Sequence, residues 1–141
     1  MLSDGEFECD STNHEEVFVT DYEAPIIIGE YDNNEWFNFV KEFSDAPEGG
    51  NRCKKCFQFN LSATAKKAKE LSINFFTTTL TVSSHKNSNM IFKIGNDIAE
   101  EKICFVAENF KKKDGYKKSI ELSKKYNLYR QNYCGCRFSM R

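Results

Sequence analysis

The stretch Ile73-Asn74-Phe75-Phe76-Thr77-Thr78-Thr79-Leu80 is rich in β-branched and aromatic residues, and it predicts a strand that ends in threonines. A helical pattern over residues 52–70 precedes this stretch, and a second helical pattern over residues 87–101 follows it. Another apolar run, residues 103–107, predicts a further strand. Strands that alternate with helices indicate a layered α/β fold with a mostly parallel sheet.

The flanking segments extend this pattern in both directions. Pro25-Ile26-Ile27-Ile28 is short and apolar, which is typical of a strand buried on both faces. The Asx residues of Tyr31-Asp32-Asn33-Asn34 are placed to cap an aromatic-rich helix over residues 36–43. Ser83-Ser84 is placed to cap the second helical pattern, and residues 116–126 predict a last amphipathic helix.

Three strands are few for a sheet that is covered on both faces. The sequence therefore predicts a Rossmann-like fold from which the first strand and helix are missing. Residues 1–24 are acidic and lack periodicity, so we expect a disordered segment before an incomplete α/β domain at residues 25–141. One face of the first long helix is predicted to enter the core, with Phe57, Leu61, Thr64, Ala65 and Ala68.

Charge is unevenly distributed along a chain whose formal net charge is −1. Residues 1–50 carry one Lys and fourteen Asp or Glu, whereas residues 102–130 carry nine Lys or Arg and three acids. The basic segment is suited to a polyanion, although a solvated Lys-rich helix has the same composition. The sequence lacks both the apolar run of about 18 residues that a membrane helix needs and the features of a signal peptide. We therefore expect a cytoplasmic protein without a membrane partner.

Six cysteines are many for such a protein and favour metal or redox chemistry. Cys53-Lys54-Lys55-Cys56 lies at a predicted helix start, and its pattern fits a zinc half-site, two iron–sulfur ligands, a redox dithiol or a chance pair on a core helix. Cys134-Gly135-Cys136 would close a tight, strained disulfide, which indicates a redox pair or two metal thiolates, with an inert pair as the alternative. Cys104 is predicted to be a buried structural thiol, and Cys9 has no evident role.

Two further segments carry groups that bind nucleic acids. The end of the first strand and the residues after it offer hydroxyls, an imidazole and an ammonium for a phosphate or ribose, although helix capping explains them equally well; these are Thr78, Thr79, His85 and Lys86. The basic loop interleaves cations with aromatic rings, as phosphate and base binding require, or is simply solvated; its members are Lys111, Lys112, Lys113 and Tyr116.

Four linked motifs, in this order and spacing, closely resemble epoxyqueuosine reductases of the QueH type over about residues 31–139. They are Pro47-Glu48-Gly49-Gly50-Asn51-Arg52-Cys53-Lys54-Lys55-Cys56, Thr77-Thr78-Thr79-Leu80 with His85-Lys86, Phe110-Lys111-Lys112-Lys113-Asp114-Gly115-Tyr116, and Leu128-Tyr129-Arg130-Gln131-Asn132-Tyr133-Cys134-Gly135-Cys136. The resemblance implies an oxidoreductase that reduces epoxyqueuosine to queuosine at the wobble position of tRNA.

The resemblance also implies roles for individual residues. Cys53 and Cys56 would be ligands of a [4Fe–4S] cluster, and Cys134 and Cys136 a redox-active pair beside it. The basic segment would face the tRNA, together with Tyr129 and Arg130. The family's Cys-Cys-x-Pro-Cys segment has no counterpart in this sequence, so the usual four-thiolate cluster cannot be assembled from family positions.

Under this hypothesis a ferredoxin or flavodoxin supplies electrons, and an additional iron is a further expectation. His85, Tyr129 and Tyr133 are candidates for the group that protonates the departing epoxide oxygen. The competing hypotheses are a non-catalytic tRNA-binding module, in which Cys53, Cys56, Cys134 and Cys136 close a tetrahedral zinc site, and an inactive fragment of the reductase.

Overall fold

The structure is a computed structural model, and it describes residues 25–30 and 32–140. Within them the helices are α1 (Asn33–Val40), α2 (Asn51–Glu70), α3 (Ser88–Ile98) and α4 (Gly115–Lys125), and the strands are β1 (Phe75–Phe76) and β2 (Cys104–Phe105). Short 3₁₀ turns at Lys41–Phe43 and Thr79–Val82 follow α1 and β1. No helix in this part of the chain is long and apolar enough to cross a membrane.

The two strands pair in parallel, with Phe75 opposite Cys104 and Phe76 opposite Phe105. The helix α3 makes the crossover between them, so the predicted α/β fold with a parallel sheet is confirmed. Both strands are shorter than the sequence predicts. The first ends early because the Thr78 hydroxyl accepts a hydrogen bond from the Leu80 amide and caps a 3₁₀ turn.

The predicted strand at residues 25–28 is wrong. These residues have no regular secondary structure, and the side chains of Ile26 and Ile28 are 89% and 91% exposed. A β-branched, apolar composition favours a strand only where a neighbouring strand supplies hydrogen-bonding partners. In the described part of the chain β1 and β2 pair only with each other.

The helix caps agree with the sequence at one helix and differ at another. The Asp32 carboxylate accepts hydrogen bonds from the amides of Asn34 and Glu35, which confirms the Asx cap of α1. The predicted Ser83-Ser84 cap of α3 is wrong, because the side chain of Asn87 caps this helix through the Met90 amide at 3.1 Å.

The core lies between α2, α3 and the sheet. The rings of Phe76 and Phe105 are 5.3 Å apart, and Gly95 allows Phe105 to lie against α3, where any Cβ would overlap its ring.

Cys104 is buried as predicted but is disulfide-bonded, so it is not a thiol. Thr64 is exposed, contrary to the predicted core face of α2. The core residues are Phe57, Leu61, Ala68, Phe76, Ile91, Ile94, Ile103 and Phe105.

The basic loop is anchored to the fold by Thr81, which is completely buried. The Thr81 hydroxyl donates to the Glu108 carbonyl at 2.8 Å and accepts from the Phe110 amide at 3.2 Å. One side chain thus pairs two backbone groups of the loop, which fixes where α4 begins.

Candidate redox and metal centre

The pair Cys53 and Cys56 lies in the first turns of α2, which begins after Gly50. Residues three apart share one face of a helix, so the two free, half-buried thiols are neighbours. Cys9 falls outside the described residues.

The two thiols have different environments. The Cys53 sulfur accepts a hydrogen bond from the Gly49 amide at 3.2 Å. The Cys56 sulfur accepts one from the indole Nε1 of Trp36 at 3.3 Å. Burial raises the pKa of Cys56, and repulsion from the thiolates of Cys134, Cys136 and Cys53 adds to it, while the Trp36 bond opposes the rise.

The second cysteine pair sits on a tight turn after α4. Gly135 has a φ of +92°, a left-handed conformation that glycine adopts without strain. The turn is closed after Cys136, whose carbonyl accepts hydrogen bonds from the Ser139 amide at 3.0 Å and the Ser139 hydroxyl at 2.8 Å. Both Cys134 and Cys136 are free, partly buried thiols.

An aromatic clamp, formed by Trp36, Phe37, Arg52 and Phe138, holds this tail against the start of α2. The Phe138 ring stacks on Phe37 with centroids 6.3 Å apart and planes 14° apart, and it packs at 6.3 Å against Trp36. The Arg52 guanidinium lies 4.6 Å from the centre of the Phe138 ring. Because Arg52 precedes Cys53 and Phe138 follows Cys136, the clamp brings the two cysteine pairs together.

Arg52 is the member of the clamp that the sequence analysis missed. Its side chain is only 6% exposed, and its Nη1 donates to the carbonyls of Ser44, at 2.8 Å, and Ala46. A cation in the first turn of a helix opposes the helix dipole. An arginine directly before a C-x-x-C pair at a helix start was therefore a signal that this side chain is held by other contacts.

Lys86 brings a positive charge into the same region. Its Nζ lies 2.6 Å from the Cys134 sulfur and 5.7 Å from the centre of the Phe57 ring. The Lys111 ammonium donates to the Lys86 carbonyl at 2.7 Å. Burial opposes the charged form, but the hydrogen bond to Cys134 and attraction to the surrounding thiolates outweigh it and raise the pKa of Lys86. Lys86 is therefore an ammonium.

The thiol of Cys136 ionises more readily than an ordinary thiol. Burial raises its pKa, but hydrogen bonds from Ser139 and from the Phe138 backbone, with the charge of Arg52, lower it by more, so the net pKa lies below that of an ordinary thiol. A lowered pKa means that the thiolate is present at lower pH.

We expect alkylation of Cys136 by iodoacetamide to have its rate midpoint at a lower pH than alkylation of glutathione. Ser139→Ala removes a hydrogen bond to Cys136, so it should move the midpoint back towards that of glutathione. The exposed Ser84→Ala is the matched control. Rates are followed by peptide mass spectrometry, and a midpoint at or above that of glutathione in the wild type would contradict the assignment.

The other predicted site residues lie in different settings. The Thr78 hydroxyl caps the turn after β1, and His85 is exposed. The Arg130 guanidinium bonds to the Ser119 carbonyl and Ser123 hydroxyl of α4 and lies 6.0 Å from the centre of the Tyr116 ring. Also exposed are Thr79, Lys112, Lys113 and Tyr129, the last at 83%. Their assignment to tRNA stays a prediction.

The described residues do not supply a complete set of metal ligands. Thiolates have the softness that iron–sulfur clusters and zinc prefer. Yet among residues 25–30 and 32–140, no three His, Cys, Asp or Glu side chains are arranged to hold a metal ion. The four free thiols are close enough to influence the pKa of Cys56, but they form neither a closed zinc site nor a four-thiolate cluster.

The sequence also matches known proteins. The model of the family "Epoxyqueuosine reductase QueH" matches residues 4–141. The QueH protein of Streptococcus pyogenes serotype M1 is 38% identical over 84% of this chain and 49% of its own length. The QueH protein of Thermotoga maritima is 42% identical over 79% of this chain and 60% of its own length.

A third relative, the QueH protein of Staphylococcus epidermidis, is 34% identical over 89% of this chain and 56% of its own length. The chain thus spans about half to three fifths of the length of these three relatives. A family model that covers nearly the whole chain, and relatives at this level of identity, establish the membership. The chain belongs to the epoxyqueuosine reductase QueH family.

Proposed function

We propose that this protein takes part in the reduction of epoxyqueuosine in tRNA to queuosine, with Cys134 and Cys136 as the immediate two-electron donor. The observation that supports this most directly is the placement of the two thiols beside the start of α2, with the Lys86 ammonium on the Cys134 sulfur. The names of the relatives support the substrate.

The proposed step is balanced by the dithiol alone. Removal of the epoxide oxygen breaks two carbon–oxygen bonds, forms an alkene and releases water, which consumes two electrons and two protons. Two thiols supply both electrons and both protons as they become a disulfide. A C-x-C disulfide closes a very small ring, so it is readily reduced again.

We further propose that Cys53 and Cys56 supply two thiolate ligands to an iron–sulfur centre. The other ligands of this centre, and those of any additional iron, do not come from a set formed by the described residues. Bound there, such a centre would supply one-electron transfer chemistry, with a ferredoxin or flavodoxin type protein as the external donor. The residues of this chain position the dithiol beside the two ligands.

The basic loop and the start of α4 form the surface that we propose for tRNA. Lys112 and Lys113 are exposed, and Tyr129 is exposed enough for a base to stack on it. The ammonium groups of Lys86 and Lys111 bond within the protein. A protein that acts on tRNA would work in the cytoplasm.

Anaerobic reconstitution of the chain with iron and sulfide tests the metal part of this proposal. We expect iron and sulfide to bind at the stoichiometry of a cluster, with broad visible absorbance, and both to be lost in Cys53→Ala/Cys56→Ala. Lys54→Ala, an exposed position between the two cysteines, is the matched control and should bind iron like the wild type.

Activity is then measured as conversion of epoxyqueuosine in purified tRNA, with a chemical reductant in place of the natural donor. Conversion that requires both cysteine pairs would support the reductase. One tightly held zinc per chain without colour or conversion would instead favour the zinc-binding module. If the chain binds no metal and converts no epoxyqueuosine, it lacks essential parts of the reductase.

A further inference from the structure

We propose that Lys86 is a catalytic residue of the dithiol, and that it sets the reduction potential of the Cys134/Cys136 couple by stabilising the thiolate of Cys134. This inference rests on the proposed function, because it takes these two cysteines as a redox pair. It assigns Lys86, which the sequence suggested for a phosphate, to the redox chemistry instead.

The contact itself carries the inference. The Nζ of Lys86 is 2.6 Å from the Cys134 sulfur, although the two residues are 48 positions apart in sequence. Sulfur is a weak acceptor when protonated and a strong one when ionised. A lysine ammonium at this distance therefore stabilises the Cys134 sulfur more strongly whenever that sulfur carries negative charge.

No carboxylate among residues 25–30 and 32–140 forms an ion pair with Lys86. The ion pairs within the described residues join Lys67 to Glu70 and Lys69 to Glu100, and neither involves Lys86. Half-burial against the Phe57 ring reduces the screening of its charge by water. Among the described residues, the groups whose negative charge would act on Lys86 are Cys134, which is in contact, and Cys53 and Cys56.

A hydrogen bond from Lys111 holds the backbone of Lys86 in place. Lys111 donates its ammonium to the Lys86 carbonyl at 2.7 Å, which ties the Lys86 backbone to the basic loop. The loop is itself anchored by the buried Thr81. Because the Lys86 backbone is fixed in this way, the ammonium group is already in place when charge develops on Cys134.

The direction of the effect follows from the redox reaction. Reduction of the Cys134–Cys136 disulfide by a dithiol forms two thiols, while the reductant becomes a disulfide. Lys86 stabilises the thiolate of Cys134, which exists only in the reduced state. It therefore favours reduction and raises the potential of the couple, in the same way that a stabilised reduced form makes a disulfide a stronger oxidant.

The test measures this equilibrium in the full chain, prepared without added metal. The protein is equilibrated at about pH 7 with mixtures of reduced and oxidised dithiothreitol, quenched with acid, alkylated and digested with trypsin. Cleavage after Arg130 and Arg137 releases residues 131–137, which contain Cys134 and Cys136 and no other cysteine. The alkylated fraction of this peptide gives the equilibrium constant.

We expect Lys86→Gln to lower the equilibrium constant for reduction at least tenfold, which corresponds to a potential about 30 mV more negative. Lys86→Arg keeps the positive charge and should restore most of the difference. Lys93→Gln removes the same charge from an exposed position on α3 and should leave the constant unchanged. Circular dichroism establishes that each variant is folded, and Lys86→Met, which also removes the charge, carries the test if Lys86→Gln is not.

The outcomes separate this inference from the proposed function. Equal constants in the wild type and Lys86→Gln, or an equal fall in Lys93→Gln, would overturn the role of Lys86 and leave the reductase proposal intact. A peptide 131–137 that never forms a disulfide would overturn the redox pair and the inference together. A shifted constant in a protein that binds a cluster but does not convert epoxyqueuosine would support Lys86 and refute the proposed substrate.

Discussion

Cys134→Ser is expected to abolish the proposed reduction of epoxyqueuosine by the reconstituted protein, with a loss of about 10³-fold or more. A single serine hydroxyl leaves no second thiol to form the disulfide with Cys136, so the pair can no longer deliver two electrons. The measurement is single-turnover conversion in tRNA, with wild type and variant reconstituted side by side. Serine retains a hydrogen-bond acceptor for Lys86, so the fold of the tail should survive.

The iron content of the same variant separates two roles for Cys134. If the cysteine belongs to the redox pair, Cys134→Ser keeps the iron and sulfide of the wild type while it loses conversion. Loss of iron together with conversion would instead make Cys134 a metal ligand. Conversion within tenfold of the wild type would show that the pair does not donate the electrons.

Gly115→Ala is expected to lower the free energy of unfolding by about 3 kcal/mol or more, because the new methyl group has no space. A Cβ at Gly115 would overlap the backbone carbonyl oxygen of Phe110. The Gly115 amide also donates to the Lys112 carbonyl at 2.9 Å, which closes the basic loop. Relief of the overlap requires the backbone of this loop to move.

Urea unfolding of Gly115→Ala and of a matched glycine variant measures the effect. Gly29 is the control, since a Cβ there would meet nothing within 4 Å, and Gly29→Ala should change the free energy by less than about 0.5 kcal/mol. Equal stability of the two variants would mean that the loop before α4 adjusts without cost. A loop displaced in Gly115→Ala should also weaken the bond between Lys111 and the Lys86 carbonyl.

Much of the candidate site could be predicted from sequence because its parts are local. The turn-rich segment before α2 and the helical periodicity after it place Cys53 and Cys56 at a helix start without reference to any other element. The C-x-C pair and its glycine are likewise a feature of three consecutive residues. The parallel order of β1 and β2 followed from the helix between them, because a crossover of this kind favours parallel strands.

The predictions that failed depended on partners far away in sequence. Ile26 and Ile28 have the composition of strand residues, yet they are exposed, because a strand forms only where another strand pairs with it. The cap of α3 was misplaced by a few residues because Ser83, Ser84 and Asn87 are all suitable caps. Local preference alone does not choose among them.

The sequence by itself determined the family, the helix that carries the first cysteine pair and the C-x-C arrangement of the second pair. Only the tertiary structure decided that Arg52 is buried beneath Phe138 and that Lys86 reaches Cys134. Both contacts join segments that are distant in the chain, and their energies depend on burial and on distances of a few ångströms. Residue spacing fixes which groups share a helix face, whereas packing of the whole chain fixes which charge lies against which sulfur.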